Sequence, residues 1–499
     1  MTVSTEDYYD GFRTFYWLAD FVDVPIDQVN FLLTQFTALM LAGFLRTFLS
    51  PIAVNPATRH VFGLVIGLAC GYFCFGRQAI HLAGLPALCY IAMRTQNPRN
   101  VQRVVLATAL IYLSCLHYHR QTYNYGSYTL DITGPLMVIT QKVTSLAYNI
   151  HDGLTRREEE LTPTQQHQAV KKVPTALEYF SYVFHFQALM AGPVIFYRDY
   201  IDFIHGRTFG KTGALTTDKS ANCYDEIVLE PSPTKIVIKK VIVSLLCAVM
   251  FVTFIPIFTI QKVKDDDFLK NTSVLYKVWY LMVATMLVRL KYYHAWIFAD
   301  AICNNSGLGF NGYHKNGETK WDLISNVDIY RFEMSLNLHD SIQEWNKGTN
   351  KWLRTIVYER VAKNKTLLTY ALSCIWHGFY PGYYLTFTNG AIFTGIARIV
   401  RRKIRPHFLG SNEMKFLYDV ITFIGTRVLM AYLTFSFILL EFVPSLKVYL
   451  HLYLFPHIVG IALVIIAYCL PKLPSPAKAK GKEAKPPQEI SNGIARKTM

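Results

Sequence analysis

The sequence predicts an all-α protein threaded repeatedly through a lipid bilayer, and three observations carry that prediction. The 499-residue chain is 52% hydrophobic with a positive mean hydropathy, too apolar for an ordinary soluble domain. Several apolar runs approach the roughly 20 residues that a helix needs to cross the hydrocarbon. The 33 Phe and 32 Tyr are an aromatic load typical of lipid-facing and interfacial positions.

In chain order the runs cover residues 31–49, 61–76, 80–93, 104–119, 178–195, 241–260, 274–303, 367–400, 416–440 and 452–470. Residues 241–260 and 452–470 carry no charged side chain and are the cleanest crossings. Together the runs predict roughly ten spanning or re-entrant helices. The run 367–400 is too long for one crossing, and Pro381-Gly382 interrupts its middle. Proline removes a backbone donor and glycine permits unusual backbone angles, so a broken or re-entrant hairpin is expected there. Such backbone is tolerated at membrane depth only when buried in protein or lining a water-filled cavity.

Residues 152–175 and 198–233 are hydrophilic connections. In the first, Arg156-Arg157-Glu158-Glu159-Glu160 reads as a solvated helix face. Residues 471–499 are rich in Pro, Lys and Ala, which predicts a disordered basic tail and leaves 1–470 as one membrane domain. The formal charge of +16 would point to nucleic acid in a soluble domain. Here the basic residues cluster in short loops, at 94–103, 235–240 and 398–405, and in the tail, as the positive-inside rule expects. No nucleic-acid partner is therefore expected. Two apolar runs separate the 398–405 cluster from the tail, which puts both, and the C-terminus, in the cytosol. No apolar run begins before about residue 30, so no removable signal peptide is expected. The nine cysteines lie mostly in apolar runs without a Cys-x-x-Cys pair, so neither a disulfide scaffold nor a metal site is expected.

Two segments carry chemistry. Residues 342–360 predict an amphipathic helix lying in the membrane interface, because Ile342, Trp345, Thr349, Trp352 and Ile356 recur on one stripe. Lys347, Lys351 and Arg354 occupy another face. Asn346 and Asn350 lie one turn apart at the stripe's edge, where both can point toward one site. The plain alternative is a peripheral helix whose asparagines face water. The second segment is Trp376-His377-Gly378, inside the long broken run. An ionisable group at membrane depth is expensive and is a functional hypothesis by default, with Asn346 as its candidate partner. The plain alternative is a core histidine bonded to a backbone carbonyl. A neutral, buried imidazole is suited to taking a proton from a hydroxyl.

Trp345-Asn346 with Thr349 and Trp352-Leu353, followed by Ser373-x-x-Trp376-His377-Gly378 and Tyr380-Pro381-Gly382-Tyr383-Tyr384, resemble the signature of the membrane-bound O-acyltransferase family. The likeness is to its lysophospholipid acyltransferase branch. Gln141-Lys142, His151-Asp152-Gly153 and Asn326 add to the resemblance, which covers most of residues 25–470. It implies a multi-helix tunnel fold, acyl-CoA as co-substrate from the cytosol, and a lysophospholipid acceptor from the bilayer. The acceptor implied is lysophosphatidylserine or lysophosphatidylethanolamine. No permanently bound cofactor and no metal are implied. His377 corresponds to the catalytic histidine and Asn346 to the catalytic asparagine, while Trp352, Tyr358 and Trp376 are placed to line the acyl or lipid path. Arg496 and Lys497 resemble a retrieval signal, which places the protein in the endoplasmic-reticulum membrane. Two other readings are a peptide O-acyltransferase of the same family and a transporter using His377 as a proton site. The transporter reading lacks the paired halves such sequences often show.

Overall fold

Helix follows helix through the computed structural model, which describes residues 9–127, 129–210 and 231–471. Among the described residues the nearest thing to a sheet is one antiparallel bridge between Tyr313 and Thr319. The helices that frame the site are α1 (Ile26–Thr47), α2 (Pro56–Phe75), α3 (Ile80–Thr95), α4 (Val101–Tyr123), α5 (Thr133–Thr155) and α6 (Ala176–Phe184). They continue with α7 (Thr234–Phe254), α8 (Val274–Asn305), α9 (Leu338–Glu344), α10 (Lys347–Leu353), α11 (Lys365–His377) and α12 (Pro381–Lys403). The last are α13 (Asn412–Leu439), α14 (Phe442–His451) and α15 (Phe455–Cys469). Starts follow local chemistry. Asn55 accepts from the Thr58 amide with Pro56 behind it, and Ser411 accepts from the Met414 amide.

The all-helical, multi-crossing architecture is as the composition predicts, but the individual runs resolve differently. Among the described residues, five helical stretches are long and apolar enough to cross a membrane, or six if α14 and α15, bent by 62° at their junction, form one span. Residues 61–76 and 80–93 fall in α2 and α3, which follow one another almost without a break. They belong to one 40-residue stretch, Pro56–Thr95, carried through a 3-10 turn at Gly76–Ala79. Residues 178–195 do not form a spanning helix. α6 ends at Phe184, and the chain from Ser181 to Met190 is buried throughout. That run is apolar because it is core, not because it faces lipid. Lys142 ends it, with Nζ donating to Val183 O at 3.1 Å at the helix C-terminus, where a cation is favoured. Residues 156–160 form no helix face either, since Glu158–Glu160 is a short 3-10 turn. The eight cysteines among the described residues are all free. The tail at 472–499 lies outside the described residues.

Among the described residues, two large clusters make up most of the packed interior. The larger joins α1 to α6 and takes in Trp352, Ile356, Leu372 and Trp376. The second joins the first half of α8 with α13 and α14, and takes in Phe393 with Ile342, Trp345 and Leu385 against it. Each chemistry-bearing segment therefore passes from one core to the other. α9 and α10 cross the seam between Trp345 and Trp352, and α11 and α12 cross it between Trp376 and Leu385.

Candidate active site

The expected single helix over 342–360 is broken at Trp345 and Asn346, and the two cores explain why. The Trp345 indole packs against Trp296 at 4.9 Å, Phe332 at 5.2 Å and Tyr292 at 5.8 Å in the second core. Trp352 is 0% exposed in the larger core, where its Nε1 donates to Thr144 Oγ1 at 2.9 Å. One straight helix would aim both indoles at the same side. The chain breaks instead at Asn346, which adopts a left-handed backbone at φ 48°, a conformation asparagine tolerates better than most residues. The segment thus packs its indoles into the protein, with Arg354 left exposed. Beyond α10 it continues as a π-helical turn, Arg354–Tyr358.

Asn326 clamps the break. Its carbonyl accepts from the Lys347 amide at 2.8 Å and its Oδ1 from the Gly348 amide at 3.0 Å. The two asparagines do not converge on one point. Asn350 is spent on structure, its Nδ2 donating to Trp345 O at 2.8 Å and to Ile342 O at 2.5 Å. Asn346 caps α10, its Oδ1 accepting from the Thr349 amide at 3.4 Å. Its Nδ2 has no hydrogen-bond partner among the described residues.

His377 is the last residue of α11. Its Nδ1 lies 2.8 Å from Ser373 O, one turn back. A carbonyl only accepts, so Nδ1 carries the proton and Nε2 keeps its lone pair, with no protein partner among the described residues. The ring is walled by Trp376 at 4.5 Å, Phe387 at 4.9 Å, Phe437 at 5.3 Å and Tyr383 at 5.9 Å. Trp376 is buried, while His377 beside it is only partly so. The hairpin break expected at Pro381-Gly382 begins three residues earlier. Gly378 has φ 112°, closed to side-chain-bearing residues, and Pro381 opens α12 as its first residue.

No hydrogen bond joins Asn346 to His377. They are related through aromatic rings: Trp352, in the helix that Asn346 caps, meets Trp376, beside His377, at 5.6 Å. The Tyr358 ring lies under Lys365 Nζ at 5.7 Å. The backbone carbonyl that the plain alternative gave His377 is that of Ser373; sequence reasoning missed Phe387, Phe437 and His117, whose Nε2 donates to Trp376 O at 3.1 Å. His117 and Phe437 sit in apolar runs, where nothing in the pattern separates them from lipid-facing or core residues.

A polar ladder runs from this region to a cleft. Gln141 Nε2 donates to Thr349 Oγ1 at 2.8 Å, Trp352 to Thr144, and Arg360 Nη1 and Nη2 to Asp152 at 2.9 and 2.6 Å. Each rung joins residues 208 apart, so α5 and the 349–360 segment run parallel in step. At the Arg360 end a cleft of about 450 Å³ opens among Gln102, Arg103, Tyr148, His151, Arg156 and Arg360. Neither His377 nor Asn346 lines it. Among the described residues no group of three or more His, Cys, Asp or Glu side chains is placed to hold a metal ion.

Residues 118–435, which contain both His377 and Asn346, match the model of the membrane-bound O-acyltransferase family. Lysophospholipid acyltransferase 6 of Drosophila melanogaster is 57% identical over 93% of this chain, which spans 64% of that relative's length. Membrane-bound glycerophospholipid O-acyltransferase 2 of Homo sapiens is 40% identical over 90% of this chain and 86% of its own. The lysophospholipid acyltransferase of Schizosaccharomyces pombe is 32% identical over 89% and 87%. With the match spanning both broken helices and the seam they cross, the chain belongs to the membrane-bound O-acyltransferase family.

Proposed function

We propose that this chain transfers a fatty acyl group from acyl-CoA to the free glycerol hydroxyl of a lysophospholipid, lysophosphatidylserine or lysophosphatidylethanolamine. The observation that carries the reading is the His377 imidazole, with Nδ1 tied to Ser373 O and Nε2 left open inside an aromatic cage. The names of the relatives support the acceptor class. Nε2 accepts the hydroxyl proton as the oxygen attacks the thioester carbonyl. The tetrahedral intermediate then collapses, the C–S bond breaks, and the departing CoA sulfur takes the proton back from Nε2. Because Ser373 already orients the ring, the free Nδ2 of Asn346 is better used as a donor to the oxyanion than as a second orienter. Trp376 walls the site and Trp352 supports it from behind. The cleft beside Arg103 offers that guanidinium to the CoA phosphates on the cytosolic side, while Arg156 and Arg360 in the same lining are held by Asp152 and Glu160. The membrane is that of the endoplasmic reticulum, with the C-terminus cytosolic.

The experiment is to purify the full chain and supply labelled acyl-CoA with a panel of lysophospholipids. Diacyl product with lysophosphatidylserine or lysophosphatidylethanolamine supports the reading. Transfer to no lysophospholipid, with transfer to a peptide hydroxyl instead, refutes it.

A further inference from the structure

The end of α11 leaves a carbonyl to account for. The helix stops at His377, so Trp376 O has no helical amide to accept from. His117, on α4 and 7% exposed, supplies the donor through Nε2 at 3.1 Å. The His117 ring also packs against Gly378, where an added Cβ would stand 3.1 Å from ring Cγ and Nδ1. One imidazole thus touches the peptide unit before His377 and the residue after it.

We propose that His117 is a positioning residue for His377, an assignment that rests on the reading of His377 as the base. The Trp376 carbonyl belongs to the peptide plane that enters the His377 Cα. Pinning that plane sets the direction of the His377 Cα–Cβ bond, while Ser373 O sets the rotation of the ring. The two hydrogen bonds together fix where Nε2 stands. Trp376 is itself anchored, its Nε1 donating to Met137 O at 3.0 Å, so its carbonyl is the remaining freedom at the helix end. Without the His117 donor the last turn of α11 frays and Nε2 drifts. A displacement on the order of 1 Å in a reacting group costs roughly 100-fold in rate.

The test measures kcat and KM for both substrates on purified full-length His117→Gln, His117→Asn and His117→Met, beside wild type and His377→Ala. Glutamine carries an amide nitrogen about as far from the backbone as Nε2. Asparagine falls one methylene short, and methionine fills the space without a donor. His117→Gln is expected within about threefold of wild-type kcat, and His117→Asn and His117→Met about 10–100-fold lower, with KM little changed. Equal kcat across the series, or a glutamine variant as slow as the methionine one, overturns the proposal. So does a loss confined to the folded fraction or to KM, which is what a purely structural role produces. If His117→Met yields no monodisperse protein, the glutamine and asparagine pair decides alone. An active His377→Ala removes the underlying reading and this proposal with it. An inactive His377→Ala beside a flat His117 series overturns this proposal only.

Discussion

Asn346 holds a left-handed backbone and spends its Oδ1 on the Thr349 amide, so only Nδ2 is left to act on a substrate. That division of labour makes a sharp substitution available. Asn346→Asp keeps an acceptor for the cap and removes the donor. It is expected to fold, and to lose about 10²–10³-fold in turnover if Nδ2 serves the oxyanion. Steady-state kinetics on monodisperse protein check this, and unimpaired turnover would contradict it. Asn350 has the opposite profile. Asn350→Ala strips the donor from Ile342 O and Trp345 O, a loss of about 1–3 kcal/mol where the carbonyls stay dry. A lower thermal midpoint with kcat per folded molecule intact is the expected result.

At the scale of the element, the two broken helices differ in how far the sequence announces them. Pro381-Gly382 in a long apolar run announces a break directly, and the structure places it at Gly378 to Pro381. The break at Trp345 and Asn346 carries no such mark. The stripe Ile342, Trp345, Thr349, Trp352 and Ile356 keeps its helical spacing straight through it. What breaks the helix is that Trp345 and Trp352 pack into different cores, and a linear pattern does not encode which core a residue joins. The same blindness makes residues 178–195 look like a crossing, since core and lipid select the same side chains. The parallel ladder between α5 and the 349–360 segment was visible only as isolated matches at Gln141 and Asp152. Its end rung is buried, with Asp152 0% and Arg360 15% exposed in their side chains. Asp152→Ala leaves the Arg360 charge without its bidentate partner. The expected cost is about 3–5 kcal/mol, read as a drop in the thermal midpoint of purified protein.

Over the whole molecule, the seam between the two cores is where the chain can afford irregular backbone, because both sides of each break are buried in protein. Asn346 and His377 both occupy it, each at a helix end. Orientation follows from charge: the 398–405 cluster and the basic tail, separated by α13 and the bent α14 and α15, are proposed to share the cytosol. A C-terminal tag should then be reached by antibody after selective permeabilisation of the plasma membrane. Detection only after the endoplasmic reticulum is opened would reverse the orientation and move the Arg103 cleft away from cytosolic acyl-CoA.

The central claim is that His377 removes the acceptor proton, and a single substitution tests it most directly. Wild-type and His377→Ala protein, purified side by side, are given labelled acyl-CoA with lysophosphatidylserine or lysophosphatidylethanolamine. The account predicts that the variant stays monodisperse with a wild-type thermal midpoint and forms diacyl product about 10²–10⁴-fold more slowly. Turnover of His377→Ala close to that of wild type would contradict it.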